Sequence, residues 1–214
     1  MKHNIFYFAA ILLLCGGIQS NASVDYHNGN VNGYKFTDSS YNADDFSYSN
    51  FSGVSAEATT FSSLTIKRNY SNSDFSSANL KEALFNYAGL ENVNFSSSNL
   101  YDAYFISATL SGANFSGANV QRADFTNTTQ SGFTANQLYS TASYAQGNLQ
   151  HMSFQSNTMT GWNFSGKDLT RTDFSLASLV NSDFRNATLT NSIFYYSDLS
   201  GVDFRGSTGL SYGR

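Results

Sequence analysis

The sequence predicts an all-β solenoid, a four-sided parallel β-helix carrying one short inserted α-helix. Three observations predict it. Apolar residues recur at every fifth position, Phe alternates with Leu among them, and the position two before each is usually small, as at Ala78, Ala83, Ala88, Ala103, Ala108, Ala113, Ala118 and Ala123. A step of five suits neither regular element. It advances about 140° net around an α-helix and would smear the apolar residues over the cylinder, and in a strand an odd step alternates faces. Only a chain that turns a corner in every repeat keeps all of these residues on one side. The Phe/Leu alternation repeats every ten residues, so a coil of four sides and 20 residues stacks Phe on Phe along two opposite walls and Leu on Leu along the other two. A three-sided coil would place Phe over Leu. Coils then stack at about 4.8 Å through backbone hydrogen bonds.

Composition agrees with a folded repeat array. The chain of 214 residues has no proline, 12% charged residues, 19 Phe and 14 Tyr. Ordinary domains carry about 25% charge, and disordered chains are poor in aromatics.

At the N-terminus, Lys2, the apolar run Ile5 to Leu14 and Ser20-Asn21-Ala22 read as a signal peptide over 1–22, with cleavage before Ser23. The run is short for a membrane span. Cleavage removes Cys15, the one cysteine, and with it any disulfide or thiolate chemistry. Leu13-Leu14-Cys15-Gly16 distantly resembles the lipobox of bacterial lipoproteins, so anchoring through Cys15 is the alternative; Leu14 stands where that motif has a small residue. The expected location is therefore secreted, periplasmic or at the cell surface. Residues 23–35 form an N-terminal cap or linker.

The first part of the β-helix covers 36–130. Its opening run, Phe36, Tyr41, Phe46, Phe51, Ala56, Phe61 and Ile66, is irregular; from Phe75 to Phe125 the spacing of five is unbroken. Asn or Asp precedes many centres, as at Asn79, Asn94, Asn99, Asn114 and Asn119, a type that bonds its own backbone near turns. Segments such as Ser77-Ala78-Asn79-Leu80-Lys81 and Gly112-Ala113-Asn114-Phe115-Ser116 resemble the A-(D/N)-L-x-x motif of the pentapeptide-repeat family. The resemblance extends over roughly 36–206. It implies a right-handed quadrilateral β-helix and transfers little chemistry, because fold does not set function.

A helical insertion occupies 131–148. Thr134-x-x-Gln137 reads as a capping box, flanked by Phe133 and Leu138 as a hydrophobic staple. Leu138, Ala142 and Ala145 then form one stripe of a helix ending near Gly147. The wording from Phe133 to Tyr144, with Gly161-Trp162-Asn163-Phe164 after it, is similar to an insertion in some exported bacterial members of that family. Its stripe calls for packing on the coil wall rather than a projecting spur. Trp162 and Lys167 stand where the pattern wants small residues, so the wall is expected to bulge there. The second part of the β-helix covers 149–206, and 207–214 is a C-terminal tail.

No catalytic, cofactor-binding or metal-binding residue stands out, and the chain does not read as an enzyme. His27 and His151 belong to no metal or triad motif, and neither a Walker loop, a G-x-G-x-x-G nor an H-E-x-x-H is present. Asp183 and Asp203 lie one coil apart above Asn163, a spacing able to hold a hard cation, but Arg185 and Arg205 follow with the same offset and favour a surface charge ladder. Sequons at Asn50, Asn69, Asn94, Asn114, Asn127, Asn163 and Asn186 arise readily in such a repeat. Without the leader, ten basic stand against fifteen acidic residues, a net of −5 that gives no drive toward nucleic acid. These features predict a non-catalytic exported scaffold presenting flat polar walls to a protein or polysaccharide partner. It has no transmembrane segment once the leader is removed, and an open coil end is available to a second copy. The alternatives are a DNA-mimicking modulator of a topoisomerase, disfavoured by export, and an ice- or mineral-binding surface.

Overall fold

The computed structural model describes residue 29, residues 46–62 and residues 68–210. The leader, the cap region other than Gly29, Phe36, Tyr41, Ile66, Cys15 and His27 lie outside them.

No continuous strand forms among the described residues. Each five-residue unit contributes one bridging residue, paired in parallel with the unit one coil away: Asn79 with Asn99, Leu84 with Tyr104, Asn94 with Asn114. The pairing offset is 20 residues, so four units make a coil. We number the walls in chain order. Wall 1 is centred on Phe46, Tyr70, Leu90 and Leu110; wall 2 on Phe51, Phe75, Phe95 and Phe115; wall 3 on Ala56, Leu80, Leu100 and Val120; wall 4 on Phe61, Phe85, Phe105 and Phe125. After the insertion, Leu149 resumes wall 3, Phe154 wall 4, Met159 wall 1 and Phe164 wall 2.

The centres point inward and build the core. Phe rings stack along wall 4, with centroids 5.3 Å apart for Phe85 and Phe105 and 5.1 Å for Phe105 and Phe125. Phe95 and Phe115 stack at 5.2 Å on wall 2. Across the interior the two Phe columns meet edge to face, as Phe105 does with Phe95 at 5.7 Å, the geometry that ring quadrupoles favour. The small residues two before each centre are buried too. Where that residue is Ser or Thr, its hydroxyl donates to a backbone carbonyl, as Ser98 does to Phe95 (2.7 Å) and Ser182 to Met159 (2.7 Å), so polarity is buried with its bond made.

Each corner is a four-residue turn. Ala78 N–H donates to Phe75 C=O (3.2 Å), and the third turn residue, Ser77, has φ 55°. A positive φ at that position alone is the type II pattern. It recurs every fifth residue, and most of these residues are not glycine: Glu82, Tyr87, Asn92, Ser97 and Asp102 all have φ near 60°. The left-handed region costs L-residues about 1–2 kcal/mol, and Gly loses about 0.5–1 kcal/mol of that advantage to chain entropy. Exposed Ala58, at φ 51°, tests this. Ala58→Gly is expected to raise the unfolding free energy by about 0.5–1 kcal/mol in denaturant titrations. The reverse change at Gly112 should destabilise, since it would place a Cβ on a residue held at φ 71°.

The coil is lengthened twice. Pairing offsets of 24 residues, as for Ser55 with Asn79, mark four extra residues between the first two coils. In consequence Tyr70, five residues before Phe75, is the wall 1 centre after Phe46, stacked on it at 5.2 Å, and the regular run of five begins with it. The second lengthening joins Asp124 to Ser153, an offset of 29, and so adds nine residues.

The insertion is not the single helix expected from its sequence. A 3-10 turn at Thr129–Ser131 leads to two short helices, α1 at Ala135–Tyr139 and α2 at Ala142–Ala145. The capping box is present: Gln137 N–H donates to Thr134 Oγ1, and Thr134 N–H donates to Gln137 Oε1. The chain then breaks at Thr141, whose backbone is extended (φ −73°, ψ 150°) and whose hydroxyl caps α2 by accepting from Tyr144 N–H. The break undoes the expected stripe. Leu138 is buried, but Ser143 rather than Ala145 faces inward.

Candidate functional site

The outward half of the coil is the candidate surface, and its geometry begins with the Asn or Asp before each centre. Asn94 Oδ1 accepts from Ser96 N–H (3.1 Å), Asn114 Oδ1 from Ser116 N–H (3.0 Å), and Asp74 Oδ1 from Ser76 N–H (2.9 Å). These bonds close Asx turns. The amide nitrogens then link the coils: Asn114 to Asn94 (3.1 Å) and Asn94 to Asp74 (3.0 Å) on wall 2, Asn119 to Asn99 (3.2 Å) and Asn99 to Asn79 (3.0 Å) on wall 3. Two ladders of side chains thus run parallel to the axis, one starting from the Asp74 carboxylate and one from Asn79, with Asn94, Asn114, Asn99 and Asn119 each fixed from within and from the coil below. Beside the wall 2 ladder, Ser52, Ser76, Ser96 and Ser116 form a column of hydroxyls.

The insertion closes the gap that its extra residues open over wall 2 by lending its own groups to the ladder. Gln137 Nε2 donates to the carbonyls of Leu110 (2.7 Å) and Ala113 (2.8 Å). Ser140 C=O accepts from Gly117 N–H (2.9 Å), and Ser143 Oγ accepts from Val120 N–H (2.9 Å) while bonding to Asn119 (3.2 Å). On the other side Tyr139 OH accepts from Asn163 N–H (2.6 Å) and Tyr144 OH donates to Asn163 C=O (2.9 Å). Trp162 and Lys167 do not bulge the wall; the bridges run through both, Thr158 to Ser178, Asn163 to Asp183 and Asp168 to Thr188. Their side chains meet the insertion instead. Trp162 packs against Phe133 (5.9 Å) and Tyr139 (6.4 Å). The Lys167 ammonium lies 3.9 Å from the centre of the Tyr144 ring and donates to Tyr144 C=O (2.9 Å). Burial pulls the Lys167 pKa down, and burial first, then the charges of Tyr139 and Asp183, push Tyr144 up to about 12.

Two hollows lie on this surface. A shallow groove of about 620 Å³ on wall 3 is lined by Lys81, Glu82, Asn99, Tyr101, Asp102, Asn119 and Arg122. Its charges pair with one another, Lys81 with Glu57 and Glu82 (both 3.1 Å) and Arg122 with Asp102 (3.4 Å). A notch of about 460 Å³ beside the insertion has Phe133 and Trp162 as its floor and Thr129, Gln130, Thr134 and Thr158 at its rim.

The stacked carboxylates are where the sequence puts them, Asp203 over Asp183 over Asn163. Each is held by the arginine two residues on: Arg185 to Asp183 at 2.7 Å and Arg205 to Asp203 at 2.6 Å, with Arg185 also 3.7 Å from Asp203. His151 sits at a left-handed corner (φ 58°), away from these groups. Among the described residues no group of three or more His, Cys, Asp or Glu is placed to hold a metal ion, and no helix is long and apolar enough to cross a membrane.

Bonds from the Arg205 side chain, then from its backbone N–H, hold the Asp203 carboxyl down at about 2. The folded-state pKa lies below the unfolded one, so this group's contribution to stability is complete above the ordinary Asp pKa of about 3.9 and is lost as pH falls toward 2. We expect an NMR titration of Asp203 with its midpoint near 2, and an upward shift in Arg205→Gln. A midpoint at the ordinary value in the parent protein would contradict the pairing.

The sequence profile described as Pentapeptide repeats matches the chain in eight copies, over residues 73–112, 88–127 and 168–206. No curated protein matches. Among solved structures the chain is similar to HetL, a pentapeptide repeat protein involved in heterocyst differentiation regulation from Nostoc sp. Strain PCC 7120, at 18% identity over 98% of this chain and 99% of that one, with a TM-score of 0.35. It is similar to full-length QnrB1, a plasmid-mediated fluoroquinolone resistance protein, at 18% identity over 87% and 91%, TM-score 0.27. A third is Rfr23 from the cyanobacterium Cyanothece 51142, at 12% identity over 86% and 89%, TM-score 0.26. The buried centre, the bridge and the left-handed corner all recur every five residues on either side of the insertion, where the matched copies fall, and the chain belongs to the pentapeptide-repeat family.

Proposed function

We propose that this protein is a non-catalytic, exported scaffold, a right-handed quadrilateral β-helix that binds a protein or polysaccharide partner through its flat polar walls. The amide ladders of walls 2 and 3 carry this reading. Side chains locked by Asx turns and coil-to-coil bonds lose little freedom on binding, which removes a cost that flexible polar surfaces incur. Their spare amide and hydroxyl groups repeat at the coil spacing of about 4.8 Å, a regular array suited to an extended partner. Export rests on Lys2, the apolar run to Leu14 and Ser20-Asn21-Ala22. The test is retention of the chain on insoluble polysaccharides, together with capture of partners from an exported fraction, each repeated with Asn94→Leu and Asn114→Leu. Specific retention lost in those variants is expected; no retention on any matrix and no specific capture would refute the reading. N-terminal sequencing of the secreted chain should begin at Ser23.

A further inference from the structure

We propose that wall 4 is the interface on which a second copy of this chain packs face to face and antiparallel. Wall 4 alone has unbroken bridges. Thr60, Leu84, Tyr104, Asp124, Ser153, Asp173 and Ile193 pair in series through seven coils, whereas on walls 1, 2 and 3 no bridge joins the two halves among the described residues. The insertion bonds to residues 110–120 and 163, on the opposite side, and leaves wall 4 flat.

This flat wall carries two apolar clusters. Leu84, Tyr87, Tyr104 and Ile106 are on its second and third coils; Leu176, Ile193, Tyr195 and Tyr196 are on its sixth and seventh. The second cluster is well exposed, from 47% at Ile193 to 75% at Tyr196. Between them the outward residues are polar, among them Asp124, Thr126, Ser153 and Gln155. Tyr87, Leu176 and Tyr196 also hold left-handed corners, at φ 62°, 60° and 54°. From the second coil on, the corners of the other walls are Asn, Gly, Ser, Asp, Glu, Arg or His. Large apolar side chains in strained, exposed positions are unfavourable for an isolated coil and call for a surface to cover them.

The two clusters are equally far from the gap between the fourth and fifth coils. A two-fold axis lying in the wall there, across the coil axis, brings second coil onto seventh and third onto sixth, with each column meeting itself. Leu84 then faces Ile193, Tyr87 faces Tyr196, and Tyr104 faces Asp173, which its hydroxyl can reach. At the neighbouring corner Asp102 of the third coil faces Arg171 of the sixth. Arg171 is exposed and has no ion pair among the described residues. Self-complementarity in shape, polarity and charge is what an isologous interface requires. With six coils at about 4.8 Å, the contact falls at the small end of specific interfaces, so a micromolar dimer is expected.

Sedimentation equilibrium of the full chain carrying Cys15→Ser tests this. A concentration-dependent dimer is expected, with dissociation constants at least tenfold higher in Tyr87→Asp and in Tyr196→Asp and unchanged in Leu199→Asp, which lies on wall 1. Arg171→Asp should also weaken the dimer, and adding Asp102→Arg should restore it, a rescue that no loss of folding mimics. Under oxidation Tyr87→Cys with Tyr196→Cys in one chain should cross-link between chains, while either cysteine alone should not. A monomer at every concentration, a dimer indifferent to both Asp variants, or cross-linking through single cysteines would overturn the proposal.

Discussion

Phe105→Ala is expected to lower the unfolding free energy by about 4 kcal/mol, in the middle of the range for a buried Phe. Phe105 is fully buried, stacked between Phe85 and Phe125 and edge-on to Phe95 and Phe115. The loss combines transfer of the ring with a cavity that the neighbours cannot close, because their positions are fixed by the backbone bridges of three coils. The same change at Phe204, half-buried in the last described coil, has fewer partners to leave behind and should cost less than half as much. Denaturant titration of both variants checks the ratio. In a solenoid each coil supports only its neighbours, so the internal substitution should also split the unfolding transition, uncoupling the coils on either side of Phe105. Equal losses at the two positions would mean that the array does not behave as a chain of nearest neighbours.

Much of this architecture was legible in the sequence because its repeat matches the period of neither helix nor strand. A period of five that alternates Phe and Leu has one economical solution, and the residues from Phe75 to Phe125 and from Leu149 to Leu189 are buried as that solution requires. The start of α1 was legible for a different reason. A capping box is local, and Thr134 and Gln137 satisfy each other wherever the segment lies. What escaped was decided by partners distant in sequence. Nothing around Thr141 announces a break; it is imposed by the coil, whose Gly117 and Val120 amides need Ser140 C=O and Ser143 Oγ at fixed points. Trp162 and Lys167 broke the small-residue rule, a signal that marked the place correctly. Its meaning depended on knowing that Tyr139 and Tyr144 would arrive against them. The wall 4 clusters were hidden similarly, since Tyr87 and Tyr196 become neighbours of one surface only after the extra residues of the insertion are counted into the coil.

Asn157 is the residue that sequence reasoning missed most completely, and Asn157→Leu is expected to cost about 3–5 kcal/mol. It occupies the position two before Met159, where the pattern wants a small apolar residue, and it is buried. Its Oδ1 accepts from the backbone N–H groups of Thr128 (2.8 Å) and Thr129 (2.9 Å), and its Nδ2 donates to Phe125 C=O (2.8 Å). These groups belong to the stretch where the chain leaves the regular coil to enter the insertion; Phe125 C=O also accepts from the Thr128 hydroxyl (2.7 Å), but the two N–H groups depend on Asn157. One amide replaces the bridge that the nine extra residues displaced. Leucine has nearly the same volume but can make none of these bonds, and each buried backbone group left unpaired costs about 1–3 kcal/mol. Asn157→Asp should be intermediate, since a carboxylate still accepts from both N–H groups but faces the Phe125 carbonyl without a donor. Hydrogen exchange separates this from general destabilisation. The Thr128 and Thr129 amides should lose protection first in Asn157→Leu, while those of Phe95 and Leu100, three coils away from Asn157, follow only global unfolding. Uniform loss of protection along the coil would show that Asn157 merely contributes to the core and does not hold the insertion in place.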